Sequence, residues 1–178
     1  MLKKLLTGSV MLIALAAGGR GDDAPAKAKA APTHPQFEQM KKLAGTWVEA
    51  DKDGKPTDKV VSVIKVVAGG SAIQDTIFPG QPMEMLSVYH VDKGNLFMTH
   101  YCALGNQPRM KADPNSKKGT IHFAFDGGTG FDPAKDMHMH QATLTFVDDN
   151  HIQLAGEAWV DGKPSEMHCG TMKLVRKK

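Results

Sequence analysis

The chain has 178 residues, of which 41% are hydrophobic, 23% charged and 6% aromatic, and its formal net charge is +3. That length suits one ordinary hydrophobic core, and 18 glycines with 10 prolines exceed the usual share of turn formers without approaching a low-complexity or collagen-like composition. A fibrous protein, a wholly disordered chain and a multi-pass membrane protein are thereby excluded, and a domain of many short strands is favoured.

The first eighteen residues combine a basic start at Lys3 and Lys4, an apolar stretch from Val10 to Leu15 and a small-residue exit, Ala16-Ala17-Gly18. This is the pattern of a signal peptide, and the apolar run is shorter than the ~20 residues that cross a bilayer. Export to a periplasmic or secreted location is therefore expected. Gly18 stands where a lipoprotein signal would need its cysteine, so no lipid is expected there. Losing Lys3 and Lys4 would leave 20 basic against 19 acidic side chains. Beyond Arg176-Lys177-Lys178 no basic block then remains, and nucleic acid is not an expected partner. Residues 19–33 are mostly Gly, Ala, Pro and charged residues and read as a flexible linker, which leaves residues 34–178 as one domain.

Thr33 and Gln36 are spaced like a capping box, Pro35 suits a first helical turn, and Phe37, Met40 and Leu43 recur at helical spacing up to Gly45. One short amphipathic helix is predicted to open the domain. Ten strand-like runs follow: Thr46–Ala50, Lys59–Ala68, Ser71–Phe78, Met83–Val91, Asn95–Cys102, Gln107–Ala112, Thr120–Phe125, His138–Val147, His151–Val160 and Ser165–Val175. Turn-forming residues separate them, among them Gly69-Gly70, Lys93-Gly94, Asp126-Gly127-Gly128 and Asp161-Gly162. Short connections favour sequential antiparallel pairing, and so many strands escape exposed edges best by closing. The predicted fold is all-β, a single antiparallel meander barrel of 8–10 strands behind a short N-terminal helix, with a two-sheet sandwich as the alternative.

Leu43-Ala44-Gly45-Thr46-Trp47 is a short helix, a glycine, one spacer and a tryptophan entering the first strand. It resembles the opening of the calycin superfamily, the lipocalins and fatty-acid-binding proteins. Val66-Val67-Ala68-Gly69-Gly70-Ser71-Ala72, Met85 to Asp92 and Thr99 to Met110 are similar to a group of bacterial lipocalin-like proteins, over about residues 37–176. The resemblance implies a barrel with an interior cavity and no particular activity. It also implies structural roles for Gly45 and Trp47 at the closed end, with Arg176 packing over the tryptophan ring.

The segment from His100 to Met110 concentrates polar groups. On a strand, His100 and Cys102 share a face with Leu96 and Met98, so an interior face would turn an imidazole and a thiol into the cavity. Arg109 follows on the next strand, and a buried guanidinium requires an anion. By analogy with fatty-acid-binding proteins, Arg109 with Tyr101 or Tyr89 would hold a carboxylate, assisted by His100, Gln107 and His140. The competing reading turns Arg109 outward and leaves Asn106 and Gln107 to stabilise a turn. His138 and His140 lie two apart, which points both imidazoles to one face and suggests a metal or haem site if further ligands converge. The 11 methionines read as adaptable cavity lining.

Cys102 and Cys169 are the two thiols; export would permit a disulfide between them, whereas alternation with His168, Met172 and Leu174 would turn Cys169 outward while Cys102 faces inward, so the bridge stays open. No hydrolase elbow, Walker loop or zinc-protease motif is present. A thiol and imidazole two apart on a strand point in parallel, which is poor geometry for an activated nucleophile. The expected function is thus non-enzymatic: binding of a small hydrophobic or amphipathic molecule, anionic or lipid-like, with haem or metal binding through His138 and His140 as the alternative.

Overall fold

The computed structural model describes residues 33–165 and 170–178. The expected signal peptide, all of the expected linker but Thr33, and Glu166 to Cys169 lie outside the described residues, and with Cys169 so does the disulfide question. One helix, α1 (Pro35–Lys41), precedes eleven strands: β1 (Gly45–Ala50), β2 (Pro56–Val67), β3 (Ala72–Ile77), β4 (Met85–Asp92), β5 (Asn95–Tyr101), β6 (Gln107–Ala112), β7 (Thr120–Thr129), β8 (His138–Asp148), β9 (His151–Val160), β10 (Lys163–Pro164) and β11 (Thr171–Arg176).

Each strand from β1 to β9 pairs antiparallel with its successor, and β11 pairs with both β9 and β1. Ten strands thereby form a closed antiparallel meander barrel, as the run of short strands and tight turns predicts. β10 adds two residues beside the far end of β9, on the same flank as β11. Of the run read as Ser165–Val175, Ser165 belongs to no strand and Thr171–Val175 falls in β11, while β10 lies just before the run. Closure leaves each barrel strand a neighbour on both sides, which removes the unpaired edges of an open sheet.

Alternation sets what lies inside. Ile73, Leu96, Met98, Met110, Ile121, Phe123, Ile152 and Leu174 are buried and join one core cluster with Phe37, Met40 and Leu43 of the helical segment. The helix covers the end of the barrel from which β1 begins. Trp47 there is fully buried and its indole Nε1 donates to the Leu43 carbonyl at 2.8 Å. Arg176, paired with Trp47 across the sheet, lies 4.4 Å above the ring and donates to the carbonyls of Lys42, Ala44 and Asp149.

Two local expectations fail for physical reasons. The capping box does not form, because His34 is the N-cap without a side-chain bond and Gln36 instead donates from Nε2 to the Asp113 carbonyl at 3.1 Å, tying the helix to the barrel. Asp126-Gly127-Gly128, read as a turn, continues β7 through a bulge opposite Arg109 and pairs Gly128 with Pro108. A Cβ at Gly128 would stand 2.6 Å from both the Gln107 carbonyl oxygen and the Phe131 ring, so the close approach of β6 and the following loop requires glycine.

Candidate functional site

The end of the barrel opposite α1 opens into a cavity of about 410 Å³, within the ~300–1,000 Å³ span of small-molecule sites. Its wall is chiefly apolar, and six methionines line it: Met83, Met85, Met98, Met137, Met139 and Met172. Met83 and Leu104, on the loops after β3 and β5, line the cavity while keeping 56% and 57% of their surface exposed, and so form an apolar rim.

One polar stripe crosses this wall. The registers of β3, β4 and β5 place Asp75 opposite Ser87 and Ser87 opposite His100, and all three are buried and line the cavity. From β2, the buried Ser62 hydroxyl donates to Asp75 Oδ1 at 2.5 Å. Ser87 Oγ lies 2.9 Å from His100 Nδ1, while His100 Nε2 is buried without a partner. Tyr89, one alternation beyond Ser87 on β4, lines the cavity and packs its ring 5.7 Å from Phe123.

Burial governs the charge of the stripe. It raises the Asp75 carboxyl to about 6, against the opposing pull of the Ser62 hydroxyl. It lowers the His100 imidazole to about 4, which keeps that ring neutral at neutral pH. Tyr89 is pushed well above the ordinary phenol range, first by burial and then by the Asp75 charge, with the Ser87 hydroxyl opposing.

The expected ligand-binding residues divide between the two sides of the wall. His100 and Tyr89 face the cavity, and Cys102 joins them at its rim. Arg109 does not. Alternation in β6 turns Pro108, Met110 and Ala112 inward, so Arg109 lies outside with its guanidinium 4.9 Å over the Phe97 ring and paired with Asp126. Tyr101 is on the same outer face, largely exposed. Gln107 is spent on the rim loop, donating to the Gly105 carbonyl and accepting from the Thr129 hydroxyl. The alternation Pro108-x-Met110-x-Ala112 was legible in the sequence and contradicts an inward Arg109.

The histidine pair is corrected by a bulge. Between Met139 and Gln141 the register of β8 against β9 shifts by one residue, leaving His140 without an opposite partner. Met139 and Ala142 line the cavity, whereas His140 does not; it stacks 3.7 Å from Trp159 and 4.7 Å from Phe125. His138 is fully buried, with Nδ1 2.8 Å from the Asp136 carbonyl and Nε2 3.0 Å from His140 Nδ1. A carbonyl only accepts, so Nδ1 of His138 carries a proton. With both rings neutral, His140 donates to His138 Nε2 and occupies the lone pair a metal would need. Burial, and then His138, hold His140 below the usual imidazole value, against Glu157. Among the described residues no three His, Cys, Asp or Glu side chains come together as a metal-binding group.

No protein-family model and no curated protein matches this sequence. The site's own chemistry is that of a chiefly apolar chamber with a stripe of acceptors and hydroxyls on the wall formed by β2 to β5, and with His138 and Thr143 of β8 as further polar lining. Asp75, Ser87 and Ser62 were missed in the sequence because each is an ordinary strand residue by type. The available signal was a polar residue at an inward step of an apolar alternation, as in Ile73-x-Asp75-x-Ile77 and Met85-x-Ser87-x-Tyr89.

Proposed function

We propose that this chain is an exported, lipocalin-like binding protein that holds a small amphipathic molecule inside its barrel, the apolar part against the methionine-lined wall and the polar end at the Asp75–Ser87–His100 stripe. The observation that carries this reading is the cavity itself, chiefly apolar with a contiguous buried polar stripe along one wall, which is the pattern of a site that orients a ligand by a few fixed groups. The anionic ligand expected from the sequence loses its support, since Arg109 is outside and the patch presents a carboxyl and a neutral imidazole. The haem or metal alternative loses its ligand pair to the His138–His140 hydrogen bond.

Binding is favoured over catalysis by the same geometry. Ser87 and His100 are within hydrogen-bond reach, yet an imidazole held near 4 is a weak base at neutral pH. The backbone donors around them serve the barrel's ladder, so no free pair of N–H groups is offered to a developing oxyanion.

The test is uptake of Nile red, a neutral apolar dye, followed by its fluorescence. The parent protein is expected to bind it with saturation. Ala142→Trp, which places an indole in the cavity from a small wall residue, is expected to weaken binding at least tenfold while the far-ultraviolet spectrum keeps its β signature. Undiminished dye binding by the folded variant would rule the cavity out as the site.

A further inference from the structure

Asp75 is 3% exposed, faces an apolar chamber and has one hydrogen-bond partner, the Ser62 hydroxyl. Among the described residues that line the cavity there is no lysine or arginine, so this carboxylate has no cation on its own side of the wall. A desolvated charge in that position is costly unless a partner supplies the opposite charge. The titratable groups facing the chamber around it are Tyr89 on β4, His100 on β5, Cys102 at the rim and His138 on β8, while β2 contributes only Ser62 from the neighbouring strand. None of these is cationic by residue type as lysine or arginine would be, and His100 stays neutral through neutral pH.

A second observation points the same way. His100 Nε2 is buried, lies on a ring that lines the same chamber and has no partner within the protein. If His100 Nδ1 donates to Ser87, Nε2 presents a lone pair. The stripe then offers a carboxylate and a second acceptor and asks for donors. An ammonium group has donors only, with a full charge, whereas a carboxylate ligand would bring a like charge beside Asp75 and no proton for His100.

We propose that the polar end of the ligand is a protonated amine, so that the protein takes hydrophobic amines, with Asp75 as counter-ion and His100 as a second acceptor. This rests on the binding reading above. It selects among amphipathic ligands by head group, because the methionine-lined wall accepts any apolar tail of suitable size.

The experiment is displacement of Nile red from the full chain by octylamine, octanol and octanoate, which share a tail and differ in the head. Octylamine is expected to compete at least tenfold better than octanol, and octanoate worse than either, near neutral pH. At about pH 5, below the value of about 6 to which burial raises Asp75 and above that of His100, octylamine affinity should fall about tenfold while that of octanol stays. Asp75→Asn should equalise octylamine and octanol. The pH arm uses the parent protein and decides the matter if that variant does not fold. Octanoate competing as well as octylamine, an amine preference that survives Asp75→Asn, or an amine affinity indifferent to the drop in pH would overturn the amine assignment with the cavity intact. Failure of the parent to take up Nile red or any of the three compounds would overturn the binding reading itself.

Discussion

Asp75 and His100 are two strands apart on one face and are pushed by the same burial in opposite electrostatic senses. The folded-state value of Asp75 is raised from 3.8 to about 6, so its contribution to stability is fully present below 3.8 and is lost as pH rises through about 6. That of His100 is lowered from 6.5 to about 4, so its contribution is present above 6.5 and is lost as pH falls towards 4. At ~1.4 kcal/mol per unit each contribution is on the order of 3 kcal/mol, and across the shared window they oppose each other. The two together should give the parent a nearly flat stability between about pH 4 and 6, and each single variant should unmask a slope. Stability should rise with pH in Asp75→Asn and fall with pH in His100→Gln. Urea midpoints at several pH values measure this, and parallel profiles for the two variants would contradict it. Arg109 teaches a separate lesson at this scale: a charged residue beside a polar segment looks functional by type, but alternation with Met110, which is fully buried, had already assigned it to the outer face.

At the scale of elements, the junction of α1 with β1 is fastened by one side chain. Arg176 caps the carbonyls of Lys42 and Ala44 after the helix and that of Asp149 in the β8–β9 turn while lying over Trp47. A single ammonium cannot reach three carbonyls as the planar fork does while also lying over the ring, so Arg176→Lys should lose roughly 2 kcal/mol or more of unfolding free energy. Gly45 belongs to the same device: its φ is +139°, and a Cβ there would come 3.0 Å from the Arg176 guanidinium. Gly45→Ala should therefore cost about 1–3 kcal/mol alone, from backbone strain and displacement of the guanidinium. It should cost measurably less in an Arg176→Met background, where the second component is already gone. A double-mutant cycle from denaturant unfolding reads this coupling, and strict additivity would show that the two residues act separately. The bulge at His140 is the other decisive element. It swaps a histidine for Met139 on the cavity wall and builds the outer stack with Trp159.

For the whole molecule, closure depends on β11, the strand that joins β9 to β1. A chain ending at Gly170 would expose β1 along its β11 side and half of β9, and would remove Leu174 from the core and Arg176 from Trp47. Such a chain is expected to aggregate or to lose cooperative unfolding, because edges of this length template intermolecular pairing. A soluble truncated chain with the parental midpoint would show that closure adds little.

The amino-acid sequence by itself determined most of the elements and bounded the barrel at 8–10 strands, since alternation and turn chemistry act over a few neighbouring residues. β6 and β9 span the predicted Gln107–Ala112 and His151–Val160 runs, and the Gly45-Thr46-Trp47 entry with Arg176 near the end is likewise local. Whether a residue is a partner of another was decided only by tertiary structure. The Asp75–Ser87–His100 stripe requires the registers of β3, β4 and β5 to agree, and each register follows from loop lengths and bulges accumulated from strand to strand. A one-residue shift reverses the face that a side chain occupies. That is why His140 left the cavity wall and why β7 ran on through Asp126-Gly127-Gly128, while the buried serines and aspartate that define the site carried no motif in the chain.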